Sequence, residues 1–140
     1  MKEKISVAIC DDEKEILPYL ARRIYEVFQK YGISVETTEY TSSDLLWRDL
    51  QRKKEYIIYF LDVDMPQING VEFAKMILQV QENAMIIFVS AKEEYVFDSF
   101  QVHPFSFIRK SKFEEDLDRT ICDLSSMYQE TEKEICQIYD

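Results

Sequence analysis

Asp11, Asp12, Asp62 and Asp64 are the residues of this chain best suited to chemistry, because of where they stand. Ile5-Ser6-Val7-Ala8-Ile9-Cys10 runs into Asp11-Asp12, and Tyr56-Ile57-Ile58-Tyr59-Phe60-Leu61 runs into Asp62, with Asp64 two residues on. Met85-Ile86-Ile87-Phe88-Val89 ends at Ser90, and Phe105-Ser106-Phe107-Ile108 ends at Arg109-Lys110. If the four apolar runs are parallel strands, their polar ends meet on one edge of one sheet. Carboxylates, a hydroxyl and an ammonium then share a pocket. Such a carboxylate cluster repels itself unless a hard cation sits in it, and oxygen ligands suit magnesium, calcium or manganese.

The elements needed to place these groups are legible in the periodicity. Residues 4–10, 34–40, 56–61, 84–89 and 105–109 read as strands, the second with the alternation of an edge strand. Residues 14–31 carry Ile16, Leu17, Leu20, Ile24, Val27, Phe28 and Tyr31 at helical spacing. Pro18 tolerates only the first turn of that helix, which puts the start near Lys14 or Glu15, and Gly32 ends it. Helices are expected over about 44–53, capped by the Ser42-Ser43-Asp44 stretch, over 71–82 after the Asn69-Gly70 turn, and over 93–101. A closing helix from Phe113 carries Leu117, Ile121, Leu124 and Tyr128. Alternating strands and helices imply a three-layer α/β domain, a parallel sheet covered on both faces, with ligands at the carboxyl ends of its strands.

The chain's 140 residues, 46% of them hydrophobic, suit one domain with a substantial core. Its net charge of −10 disfavours direct binding to nucleic acid. The three cysteines, Cys10, Cys122 and Cys136, lack metal-ligand spacing and argue against a disulfide framework. No signal peptide or membrane span is visible, so a cytoplasmic location is expected. Trp47 is expected to pack its helix on the sheet, and His103, the only histidine, to lie at the surface. Tyr95, Val96, Phe97 and Phe100 crowd one short helix, which suggests apolar surface left for a partner.

Taken together, Asp11-Asp12, Phe60-Leu61-Asp62-Val63-Asp64-Met65-Pro66 with Asn69-Gly70, Val89-Ser90-Ala91 and Phe107-Ile108-Arg109-Lys110 resemble the response-regulator receiver domain of two-component signalling. The resemblance covers about residues 3–126. The Phe-Leu-Asp-Val-Asp-Met-Pro string and the stretch from Ser99 to Lys110 resemble the LytTR-type subfamily of bacterial transcription regulators. The resemblance implies a flavodoxin-like sheet of order 2-1-3-4-5 with five helices. It implies that Asp62 accepts a phosphoryl group from a phosphohistidine on a sensor histidine kinase. Asp11, Asp12, Asp62 and the backbone carbonyl of Asp64 would hold Mg2+. Lys110 would pair with the phosphoryl group, Ser90 would donate to it, and Phe107 would be the aromatic switch. Asp64 and Lys92 would border the path of the water that removes the group and so tune its lifetime.

The resemblance further implies a signalling protein rather than an enzyme, with residues 1–126 as the receiver domain. Residues 127–140 would be a helix end or linker toward a C-terminal DNA-binding domain, through which alone DNA would be contacted. A homodimer would form on phosphorylation through 93–101, 105–109 and the closing helix. The chain departs from the family at Ser111, where proline usually follows the lysine, and at Phe107, which has no hydroxyl. Either the Lys110–Ser111 bond is cis without proline, at a cost of ~3 kcal/mol, or it is trans and Lys110 is aimed differently. Two other readings stay open. One is a receiver-like interaction module that does not use phosphate. The other is a Mg-dependent phosphohydrolase, because Asp62-Val63-Asp64 has the Asp-x-Asp form of haloacid-dehalogenase-like enzymes.

Overall fold

The computed structural model describes residues 4–139, with side chains through Tyr128. Five strands, β1 (Ile5–Cys10), β2 (Val35–Tyr40), β3 (Ile58–Asp62), β4 (Met85–Ser90) and β5 (Ser106–Arg109), form one parallel sheet of order β2-β1-β3-β4-β5. The helices are α1 (Leu17–Lys30), α2 (Ser43–Gln51), α3 (Gly70–Val80), α4 (Val96–Ser99) and α5 (Phe113–Tyr139).

Side chains alternate across the strands, and each set meets a different layer. Val7, Ile9, Ile58, Phe60, Ile87, Val89 and Ile108 face Leu20, Ile24 and Phe28 of α1 and Leu117, Ile121 and Leu124 of α5. Ala8, Cys10, Tyr59, Leu61, Ile86 and Phe88 face Leu46 of α2 and Phe73, Ala74 and Ile77 of α3. Burying each large apolar side chain contributes roughly 1.5–3 kcal/mol. The three inner strands are therefore apolar along both faces, while β2, at the edge, carries Glu36 and Glu39 exposed. Trp47 is half-buried, packs against the core cluster on this face of the sheet and meets Phe73 of α3 edge-on.

Several boundaries differ from expectation for local reasons. Helix α1 starts at Leu17, not Lys14 or Glu15, because the amides of Ile16 and Leu17 both close a turn onto the Glu13 carbonyl at 3.1 Å. Pro18 then lies in the first turn, where no intrahelical partner exists for an amide anyway. Strand β3 starts two residues late, as Tyr56 turns into a cluster with Tyr40 and Tyr59. The expected helix over 93–101 is an α-turn flanked by 3-10 turns at Glu93–Tyr95 and Phe100–Val102. Ser99 bonds back to the Val96 carbonyl at 2.6 Å, and His103, before Pro104, adopts a left-handed conformation that stops the segment. His103 is exposed. Helix α5 runs to Tyr139, through most of the 127–140 stretch expected as a helix end or linker; the side chains of 129–140 and the first three residues lie outside the described residues.

The register brings the polar strand ends level. Cys10 pairs with Leu61, Asp62 with Val89, and Ser90 with Arg109. Asp11, Asp62, Ser90 and Lys110 therefore emerge on the same edge, as parallel order requires.

Candidate functional site

Each of these groups is held by the turn that follows its strand. Asp11 Oδ1 accepts from the Glu13 amide at 2.9 Å, and Asp62 Oδ1 from the Asp64 amide at 3.2 Å. Both carboxylates are buried, at 1% and 3% exposure, although Asp11 lies just past the end of β1 and Asp62 is the last residue of β3. Asn69 caps α3 by accepting from the Val71 amide at 2.7 Å, and Gly70 bonds back to the Val63 carbonyl at 2.8 Å. Gly70 packs directly on the Asp62 carbonyl, leaving no room for a Cβ. The start of α3 thus braces the loop that carries Asp62.

Asp11, Asp12 and Asp62 each place a carboxylate oxygen within 4.8 Å of the others. Burial, followed by the charge of Asp11, pushes the Asp62 carboxyl up to about 7, against the opposing pull of Lys110 and the Asp64 amide. Asp11 Oδ2 is buried without a well-directed hydrogen bond, even though the Lys110 ammonium is 2.8 Å away. An all-oxygen set with an underused buried oxygen and mutual repulsion fits a hard divalent cation. The Cys10 thiol, behind them and 3.8 Å from the Met65 sulfur, is pushed up to about 12 by burial and then by Asp11, Asp62 and Asp12. It is therefore a core side chain and not a nucleophile.

Lys110 Nζ is 2.8 Å from Asp11, 3.1 Å from Glu13 and 3.8 Å from Asp62. Burial pulls its pKa down, but the close contact with Asp11 and the charges of Asp62 and Asp11 outweigh it and leave it raised. The described residues contain no cis peptide bond, so Lys110–Ser111 is trans, and Lys110 still reaches the site. Ser90 Oγ accepts from the Lys92 amide at 3.1 Å. Lys92 Nζ meets Asp64 Oδ2 at 3.1 Å. Phe107 is half-buried and tilted against Phe88, with centroids 6.4 Å apart, two residue pairs away from the Ser90–Arg109 register. The structure thus brings Asp11, Asp12, Asp62, Ser90, Lys92, Asp64 and Lys110 to one edge, with Phe107 behind it.

Two contributors were missed in the sequence. Glu13 holds Lys110, and only its place directly after Asp11-Asp12 could have signalled it. Asp116 clamps Arg109 with bonds of 2.8–2.9 Å, and no spacing pattern points to it.

A five-stranded parallel sheet of order 2-1-3-4-5 with an acidic pocket at its carboxyl edge defines a flavodoxin-like α/β domain. The response regulator receiver domain family model matches residues 7–122, and the chain belongs to that family. The chain is 31% identical over 120 residues to the transcriptional regulatory protein BtsR of Escherichia coli K12, covering 86% of this chain and 48% of BtsR. It thus spans about half the length of the curated relatives it matches. The response regulatory domain of MrkE from Klebsiella pneumoniae has the same fold, with a TM-score of 0.75 at 22% identity, covering 90% of this chain and 99% of that one. The response regulator TrrA of Thermotoga maritima, solved in complex with Mg2+-BeF, has a TM-score of 0.67 at 25% identity over 86% of this chain and 98% of that one.

Proposed function

We propose that this chain is the phosphoacceptor receiver of a two-component system, with Asp62 as the residue modified. The observation that carries this reading is the meeting of buried Asp62 with Asp11, Asp12 and Lys110 at one strand edge. A carboxylate oxygen of Asp62 attacks the phosphorus of a phosphohistidine on a sensor histidine kinase. The P–N bond breaks, and the imidazole leaves with its electron pair and takes up a proton. Asp11, Asp12, Asp62 and the Asp64 carbonyl would hold a magnesium ion, whose positive charge would offset the negative charge of the attacking carboxylate and the phosphoryl oxygens. Lys110, already 3.8 Å from Asp62, turns toward the new dianion. Ser90 exchanges its Lys92 partner for a phosphoryl oxygen, and Phe107 repacks.

The output face is formed by α4, β5 and α5. Phe97 and Phe100 lie on it, 81% and 57% exposed, with rings packed edge to face. Phosphorylation is read out there as homodimer formation, and residues 127–140 lead from the receiver, 1–126, toward a DNA-binding domain of the LytTR type. The chain's relation to BtsR, a transcriptional regulatory protein, supports a transcriptional output, which we place in the cytoplasm. No described helix is long and apolar enough to cross a membrane.

The test is exposure to a small phosphodonor with magnesium, followed by intact mass. A persistent gain of one phosphoryl group that disappears in Asp62→Asn is expected. Turnover of external phosphomonoesters would instead mark a phosphohydrolase, and no mass change would leave an interaction module.

A further inference from the structure

Lys110 is carried into the site by the turn between β5 and α5, and the residue that holds this turn is Asp116. Although it lies in the first turn of α5, Asp116 is fully buried and faces back onto β5. Its Oδ2 accepts from the Arg109 backbone amide at 2.9 Å and from Arg109 Nε at 2.8 Å. Its Oδ1 accepts from Arg109 Nη2 at 2.9 Å and from Arg119 Nη1 at 3.3 Å. One carboxylate therefore fixes both the backbone and the side chain of the residue immediately before Lys110. Ser111 and Lys112, on the other side of Lys110, are exposed. Beyond this clamp the lysine extends to Asp11, Glu13 and Asp62.

A carboxylate serving only the start of α5 would gain from a position beside that helix's free amides. Asp116 instead spends all four of its hydrogen bonds on arginines, in the paired geometry that gives an Arg–carboxylate contact its directional stiffness. Arg109 also approaches Glu93, at 3.9 Å, on the loop after β4. The clamp thus stands between the two loops that border Asp62. We propose that Asp116 is a positioning residue of the phosphoryl site: through Arg109 it sets the direction of Lys110, the part that a proline after the lysine plays elsewhere in the family. The inference rests on the reading that Lys110 pairs with the phosphoryl group.

The experiment is a double-mutant cycle of Asp116→Ala and Asp116→Asn with Lys110→Ala, read by beryllofluoride affinity at saturating magnesium. Magnesium affinity alone and thermal unfolding are followed in parallel. Asp116→Ala is expected to weaken beryllofluoride binding about tenfold, the scale of a misplaced charged group. Asp116→Asn, which keeps an acceptor for the Arg109 amide, is expected to fall between it and wild type. Magnesium affinity should stay nearly unchanged. In the Lys110→Ala background, neither Asp116 change should weaken beryllofluoride binding further. In metal-free protein, reductive methylation of Lys110 should be several-fold faster in the Asp116 variants. If Asp116→Ala does not fold, Asp116→Asn carries the cycle.

Additive losses, or wild-type binding and methylation in a folded Asp116 variant, would overturn the positioning role. If Lys110→Ala itself binds beryllofluoride as wild type does, the reading of Lys110 falls, and the inference with it.

Discussion

Lys92 Nζ stands 3.1 Å from Asp64 Oδ2, joining the loop after β3 to the loop after β4 across the mouth of the Asp62 site. Both side chains are about half exposed, at 49% and 55%, so the pair contributes at most ~1 kcal/mol. That is enough for a several-fold change in rate. Lys92→Ala should change the autodephosphorylation rate a few-fold while leaving magnesium affinity nearly unchanged. Equal decay of phosphorylated mutant and wild type would show that the pair does not screen the attacking water.

Asp62→Asn should fold and accept no phosphoryl group, because an amide is a poor nucleophile. Labelling equal to wild type would remove Asp62 as acceptor. Asp12→Ala should weaken magnesium binding at least about tenfold, since it deletes one of the oxygen ligands of a small all-oxygen set. Unchanged affinity in a calorimetric titration would take Asp12 out of the cation site.

Metal-free stability should depend on pH through Asp62. The folded carboxyl titrates at about 7, raised mainly by burial and then by Asp11, whereas an unfolded aspartate titrates near ~3.9. The folded state thus keeps a proton that the unfolded state releases, so stability falls as pH rises from about 4 to about 7. Asp62→Asn should lack this decline and be more stable than wild type at pH 8 by about 1–3 kcal/mol. Urea unfolding in a chelator at pH 5 and pH 8 measures it. Equal pH dependence in both proteins would contradict the assignment, and magnesium should narrow the gap at pH 8.

Glu13→Ala should tighten beryllofluoride binding by about 2–5-fold, because Glu13 competes for Lys110 from a half-exposed position where an ion pair is worth at most ~1 kcal/mol. Weaker binding would mean that Glu13 guides the lysine rather than withholding it.

Gly70→Ala should destabilise the protein by about 1–3 kcal/mol, because the added methyl presses on the Asp62 carbonyl and the Val63 Cα, both backbone atoms. Chemical unfolding checks the cost. An unperturbed melting curve would show that the loop yields freely.

The meeting of Asp11, Asp62, Ser90 and Lys110 was legible because apolar runs ending in polar residues encode parallel strand ends directly, whereas the sheet order came from the resemblance to the receiver family. Where Lys110 points was not legible. A bond to a residue other than proline is trans by default, but the hold of Asp116 on Arg109, just before the lysine, has no sequence signal, because a buried aspartate in a helix's first turn reads as an ordinary helix-start charge. Likewise, the aromatic run Tyr95 to Phe100 suggested one helix, whereas the Ser99 hydroxyl and the Pro104 constraint break it into short turns. Periodicity reports which face is apolar, not whether the backbone completes regular turns.

The length of α5 gives the β5–α5 turn mechanical advantage. At 1.5 Å per residue, the 27 residues from Phe113 to Tyr139 make a rod of roughly 40 Å. Its near end is clamped within a few ångströms of Lys110, through Asp116 and Arg109. A pivot of about 5° there sweeps the far end through roughly 3–4 Å, by the same rise per residue. An adjustment around Asp62 that tilted α5 on its packed base of Leu117, Ile121 and Leu124 would therefore reach the far end as a displacement the size of a side-chain contact.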